Sequence, residues 1–106
     1  MNVYLTLFAA IALEVIGTML LPVSQNFSKF IPTFILLVSY GLSFYLLALI
    51  SQKLSLALIY ASWSGLGIFS IAILSYIFYK QTLNWQSIIG LFIIVVGVTV
   101  VNLYRT

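Results

Sequence analysis

Apolar residues fill four runs of the chain, and four of its five charged side chains lie outside them: one in each of the breaks "PVSQNFSKF", "SQKLS" and "KQTLN", and Arg105 after the last run. Each run is about 20 residues long, which at 1.5 Å rise per residue covers a hydrocarbon core of ~30 Å. The pattern predicts four membrane-spanning helices near residues 3–21, 32–50, 56–79 and 85–104. Pro22 and Asn26, a residue that tolerates a left-handed turn, mark the first loop. The other two breaks are short, so consecutive helices are expected to be antiparallel neighbours. Trp85 and Tyr104 bracket the fourth run, roughly 28 Å apart on a helix, as aromatic anchors at the two membrane interfaces should be.

Composition turns this pattern into a fold class. Of 106 residues, 64% are apolar and 5% charged, a surface no water-soluble domain of this length can present. The expectation is an all-α membrane protein, with four transmembrane helices forming one domain over 1–106. The opening "MNVYLTLFAA" has no Lys or Arg, so the first run reads as a retained helix and not as a cleaved leader. Cys and His are absent and Glu14 is the only acidic residue. Thiolate and imidazole ligands, disulfides and zinc or haem sites are thereby excluded, and no metal or cofactor is expected. An enzyme is excluded on similar grounds, since no nucleophile can be given a positioned base. The net charge of +3 is that of four separate basic residues less Glu14, too sparse for a nucleic-acid or polybasic lipid footprint.

The same four charges bear on topology. With four spans, Lys53 and Arg105 share one side of the membrane while Lys29 and Lys80 share the other. Lys and Arg asymmetry in short loops sets orientation, and a balanced count lets the chain insert both ways. One copy also lacks the paired repeats on which secondary carriers rest, whereas two oppositely inserted copies supply them. The expectation is an antiparallel homodimer with two Glu14 side chains at a shared midplane cavity.

Glu14 lies near the middle of the first span, inside "IALEVIGTMLL". An acid there costs about 2.5–3.5 kcal/mol on insertion scales. It is either a protonated hydrogen-bonding glue between helices or a site that binds protons and cations. Apolar surroundings disfavour the bare carboxylate, and a proton or a cation neutralises it, but not both together. That exclusion is a sufficient basis for coupled exchange. Leu7, Ala10, Ile11, Gly17 and Thr18 lie around Glu14 at helical spacing. The small residues among them leave room either for a ligand or for a neighbouring helix.

Other spans offer aromatic partners: Tyr40, Ser43, Phe44 and Leu47 share a face of the second, and Tyr60, Trp63, Ser64 and Gly67 one of the third. Rings attract organic cations at ~0.5–2 kcal/mol each. In "WSGLGIF", Gly65 and Gly67 mark a hinge or a close packing contact. Gly90 and Gly97, two turns apart on the fourth span, form a seam for helix contact. That span holds no ionisable residue in its interior, so its role is assembly.

The segments "MNVYL", "LEVIGT", "SYGLSFYLLA", "IYASWSGLGI" and "IIGLFIIVVGV" together resemble the small multidrug resistance family from end to end. The resemblance implies a multi-pass protein of the bacterial inner membrane. It further implies an antiparallel homodimer that exports lipophilic and quaternary ammonium cations against protons, with Glu14 shared by both ligands. By position, Tyr4, Leu7, Ala10, Ile11, Gly17, Thr18, Tyr40, Phe44, Tyr60 and Trp63 would line the site. Gly17-Thr18 and Tyr40 resemble the multidrug subtype more than the guanidinium exporters. The chain departs from the family at Pro22, where Lys is usual, at Asn26, where Gly is usual, and at "LSLALIY", where a Pro-Thr-Gly-like start to the third span is usual. The missing Lys alters the charge count behind the topology argument. The "LSL" start is reminiscent of members that work as heterodimers, including polyamine exporters, so pairing with a different subunit is one alternative, and a non-transporting structural or regulatory subunit with Glu14 as buried glue is the other.

Overall fold

The computed structural model describes residues 2–104, and Arg105, one of the four charges in the topology count, lies outside them. Four helices follow in order: α1 (Val3–Met19), α2 (Phe30–Ile50), α3 (Leu56–Tyr79) and α4 (Trp85–Leu103). Three of the four begin at a polar residue whose side chain accepts from the first-turn amides. Asn2 accepts from the amides of Tyr4 and Leu5, Ser55 from Leu58 and Asn84 from Ser87. The Ser55 cap shows that "LSLALIY" still opens a helix without the Pro-Thr-Gly pattern.

Helix ends differ from the sequence expectation where proline decides them. α1 stops at Met19 instead of 21, and Leu20 and Leu21 continue in tighter turns bonded to Gly17 and Thr18 carbonyls. Pro22 clashes with a helical residue before it, so the helix must close ahead of it. α2 begins at Phe30, two residues before the expected start. Pro32 then falls in the first turn, where the missing N–H has no intrahelical partner to lose. Between them, Gln25, Asn26 and Phe27 all have left-handed backbones, with φ of 49°, 61° and 65°.

Among the described residues, α2, α3 and α4 are long and apolar enough to cross a membrane by themselves. α1, at 17 residues, sits at the short end of the spanning range. α1 is central: it packs on both α2 and α3, while α4 packs on α3. The described chain measures 43 × 35 × 17 Å, wider than the ~20 Å of four helices packed two by two at interaxial distances of 8–10 Å. Leu7, Ile11, Val15, Ile50 and Ile59 form the buried core, and α4 contributes no buried residue. Large apolar side chains such as Phe30, Ile31, Phe78 and Leu103 lie on the outside, as lipid, and not water, requires.

Candidate functional site

Glu14 reaches the third helix from the first. An added Cβ on Gly67 would stand 2.7 Å from Glu14 Oε2, so the carboxylate lies directly on α3 where that helix has no side chain. The other oxygen is held within α1: Thr18 Oγ1, one turn on, donates to Glu14 Oε1 at 2.9 Å. Thr18 Oγ1 also meets Tyr40 OH of α2 at 2.6 Å. A hydroxyl has one proton to give, so with Thr18 donating to Glu14, Tyr40 donates to Thr18. The result is a directed relay from α2 through Thr18 to the carboxylate. Glu14 Oε2 is buried and finds no hydrogen-bond partner among the described residues.

Gly17 makes the relay possible. Its missing side chain leaves room for the Tyr40 ring, which lies 3.0 Å from where a Cβ would be; only then can the phenol reach the hydroxyl of the next residue. One turn before Glu14, Ser43 Oγ of α2 donates 2.7 Å to the buried Ala10 carbonyl. Tyr40 and Ser43, one turn apart on α2, thus pin α1 on both sides of its acid.

An aromatic group lies across the α2–α3 gap. Phe44 and Trp63 have ring centroids 5.9 Å apart, as do Tyr60 and Trp63. With Leu47, Ile59 and other residues these rings line a groove of 470 Å³. Phe44 and Tyr60 are exposed, and the buried indole Nε1 of Trp63 has no partner among the described residues.

The remaining residues singled out by sequence fall elsewhere. Leu7 and Ile11 sit in the packed core with Ile50 and Ile59. Tyr4 is half-buried in the first turn of α1. α3 is one continuous helix through Gly65 and Gly67, and both glycines serve close approach: Gly67 under Glu14, Gly65 under Val98 and Ile94 of α4. At Gly90 and Gly97 an added Cβ would meet no described atom within 4 Å. Three bonds escaped the sequence reading: Ser43 to Ala10, Asn102 Nδ2 to Ser62 Oγ at 3.1 Å, and Tyr79 OH to the Met19 carbonyl at 2.5 Å. A polar side chain in an apolar span is their only sequence signal.

The family model described as Small Multidrug Resistance protein matches residues 2–94. The chain belongs to the small multidrug resistance family. This family member is similar to the quaternary ammonium compound-resistance protein QacG of Staphylococcus sp. (strain ST94), 44% identical over 101 residues that cover 95% of this chain and 94% of that one. It is likewise similar to the multidrug transporter EmrE of Escherichia coli (strain K12), 41% identical over 103 residues, 97% and 94% of the two chains. A third relative is the multidrug resistance protein EbrA of Bacillus atrophaeus, 36% identical over 99 residues, 93% and 94% of the two chains. As a member of this family the protein is a small multidrug resistance transporter, multi-pass in the bacterial inner membrane.

Proposed function

We propose that this chain is a proton-coupled antiporter that exports lipophilic and quaternary ammonium cations, with Glu14 binding proton and substrate in turn. One observation carries the reading: the single acid of the protein has one oxygen fixed by Thr18 and the other buried against Gly67, with no partner among the described residues. A bare carboxylate oxygen in an apolar interior costs several kcal/mol. A proton on that oxygen, or a cation beside it, removes the cost, and each excludes the other. The Phe44–Trp63–Tyr60 rings supply the flat, polarisable surface that an organic cation needs. No covalent chemistry is required of the chain, so it is not an enzyme on this reading.

The working unit on this reading is an antiparallel homodimer. The spread of the helices and the uncovered α4, with Gly90 and Gly97 open, favour a second copy closing the site; the even charge distribution favours opposite insertion.

The test is tetraphenylphosphonium binding across a pH series. Because proton and cation compete, affinity must fall as pH drops through the titration of Glu14, approaching ~tenfold per pH unit for each proton displaced. Glu14→Gln must abolish that dependence. Binding to the Gln variant that still follows pH as in the wild type refutes the mechanism, and absence of proton-driven uptake by wild-type proteoliposomes refutes the antiporter.

A further inference from the structure

α3 carries two separate rows of residues. Tyr60, Trp63 and Gly67 face the aromatic group and Glu14, whereas Ser62, Gly65 and Phe69 face α4. On the second row, Gly65 lets Val98 come against the α3 backbone. One turn away, Asn102 closes the crossing: its amide donates one hydrogen to the Val98 carbonyl at 2.9 Å and the other to Ser62 Oγ at 3.1 Å. The bond within α4 fixes the amide's orientation, so the second hydrogen is aimed at α3. Ser62 is 2% exposed, so its hydroxyl is shielded from the surroundings. The nearest other polar side chain of α4, Thr99, donates to the Val95 carbonyl of its own helix.

We propose that Asn102 and Ser62 are positioning residues: the clasp sets the rotation of α3 about its axis and so holds Trp63 and Tyr60 in the substrate-binding arrangement. Ser62 is the neighbour of Trp63, about 100° around the helix. A rotation of only 20° moves a ring by about 2 Å at side-chain radius, enough to break the 5.9 Å ring contact between Trp63 and Phe44 of α2. Since α4 packs on α3, the same clasp is where the packing state of α4 is communicated to the cation site. The inference rests on the aromatic group binding substrate, as proposed above.

The experiment uses the full chain in liposomes, in a Trp85→Phe background that leaves Trp63 as the sole tryptophan. Ser62→Ala and Asn102→Leu are each expected to weaken tetraphenylphosphonium binding about three- to tenfold and to shift Trp63 emission. Ser62→Thr, which keeps the hydroxyl, restores both values. Thr99→Val, which removes a polar group of α4 outside the clasp, changes neither. Wild-type affinity and emission in the folded Ser62→Ala and Asn102→Leu proteins overturn the proposal, as does an equal loss in Thr99→Val. If Asn102→Leu does not fold, Asn102→Gln, with its amide displaced by one methylene, must show the same weakening, and wild-type behaviour there overturns it equally. Should the unmodified protein bind no tetraphenylphosphonium, the antiporter reading falls, while the emission shift still decides whether the clasp orients Trp63.

Discussion

Replacing Gly67 by Ala sets stability against function in a way that tests the site geometry. The new methyl would lie 2.7 Å from Glu14 Oε2. Restoring ordinary van der Waals contact requires the carboxylate to retreat by about 0.7 Å. A retreat of that size takes Oε2 off α3 and re-aims the carboxylate that Thr18 holds at 2.9 Å; a displacement along that bond would carry it to about 3.6 Å, beyond hydrogen-bond range. A charge-assisted hydrogen bond is worth about 1.5–3 kcal/mol, so tetraphenylphosphonium affinity should fall at least ~tenfold. Helix propensity acts in the opposite direction, since Ala favours a helix interior over Gly by ~1 kcal/mol. The expected result is therefore unfolding stability equal to or above wild type, measured by denaturant titration in detergent, with binding by calorimetry weakened tenfold or more. Gly65→Ala is the contrast: its methyl meets Val98 of α4 and not Glu14, so it should disturb α4 packing. A folded Gly67→Ala protein with wild-type affinity and pH dependence would refute the placement of Glu14 against α3.

Further outcomes follow from single contacts. Thr18→Val removes the donor to Glu14 and the acceptor for Tyr40; cation affinity should fall about tenfold, and Tyr40→Phe, which leaves the Thr18–Glu14 bond intact, should cost less in the same titration. Asn26→Gly and Lys80→Gly relieve left-handed backbones at φ 61° and 56°; each should raise unfolding free energy by about 0.5–1 kcal/mol without altering transport, and a loss of stability would show that those side chains make contacts of their own. Tyr79→Phe removes the hydroxyl that satisfies the Met19 carbonyl at the end of α1; a loss of ~1 kcal/mol and faster amide exchange at Leu20 and Leu21 are expected.

The helices were legible because charge and proline interrupt otherwise unbroken apolar runs, and a lone acid in such a run is conspicuous. Gly17, Thr18 and Tyr40 could be picked from spacing and from the family resemblance, and they do meet around Glu14. Rotation of each helix was not legible. In a water-soluble protein a polar face tells which side is out, but these helices are apolar all round, so Leu7 and Ile11 read as neighbours of Glu14 while their packing joins them to Ile50 and Ile59. Gly67 read equally as a hinge, because a sequence carries no record of what a missing side chain makes room for. Asn102 and Ser62 lie forty positions apart, and only the crossing of α3 and α4 brings them together.

The fourth helix, which buries none of its residues, has a consequence for how this protein answers to abundance. Hydrocarbon tails solvate Ile, Val and Leu as well as another helix does, so no hydrophobic force fixes what lies along the side of α4 that faces away from α3. Its company is decided by mass action in the plane of the bilayer, where the relevant concentration is the mole fraction of chain in lipid and not molarity. In the homodimer proposed above, diluting the membrane with lipid at constant protein should therefore exchange the second copy for acyl chains along α4, and expression level becomes a thermodynamic variable of the molecule.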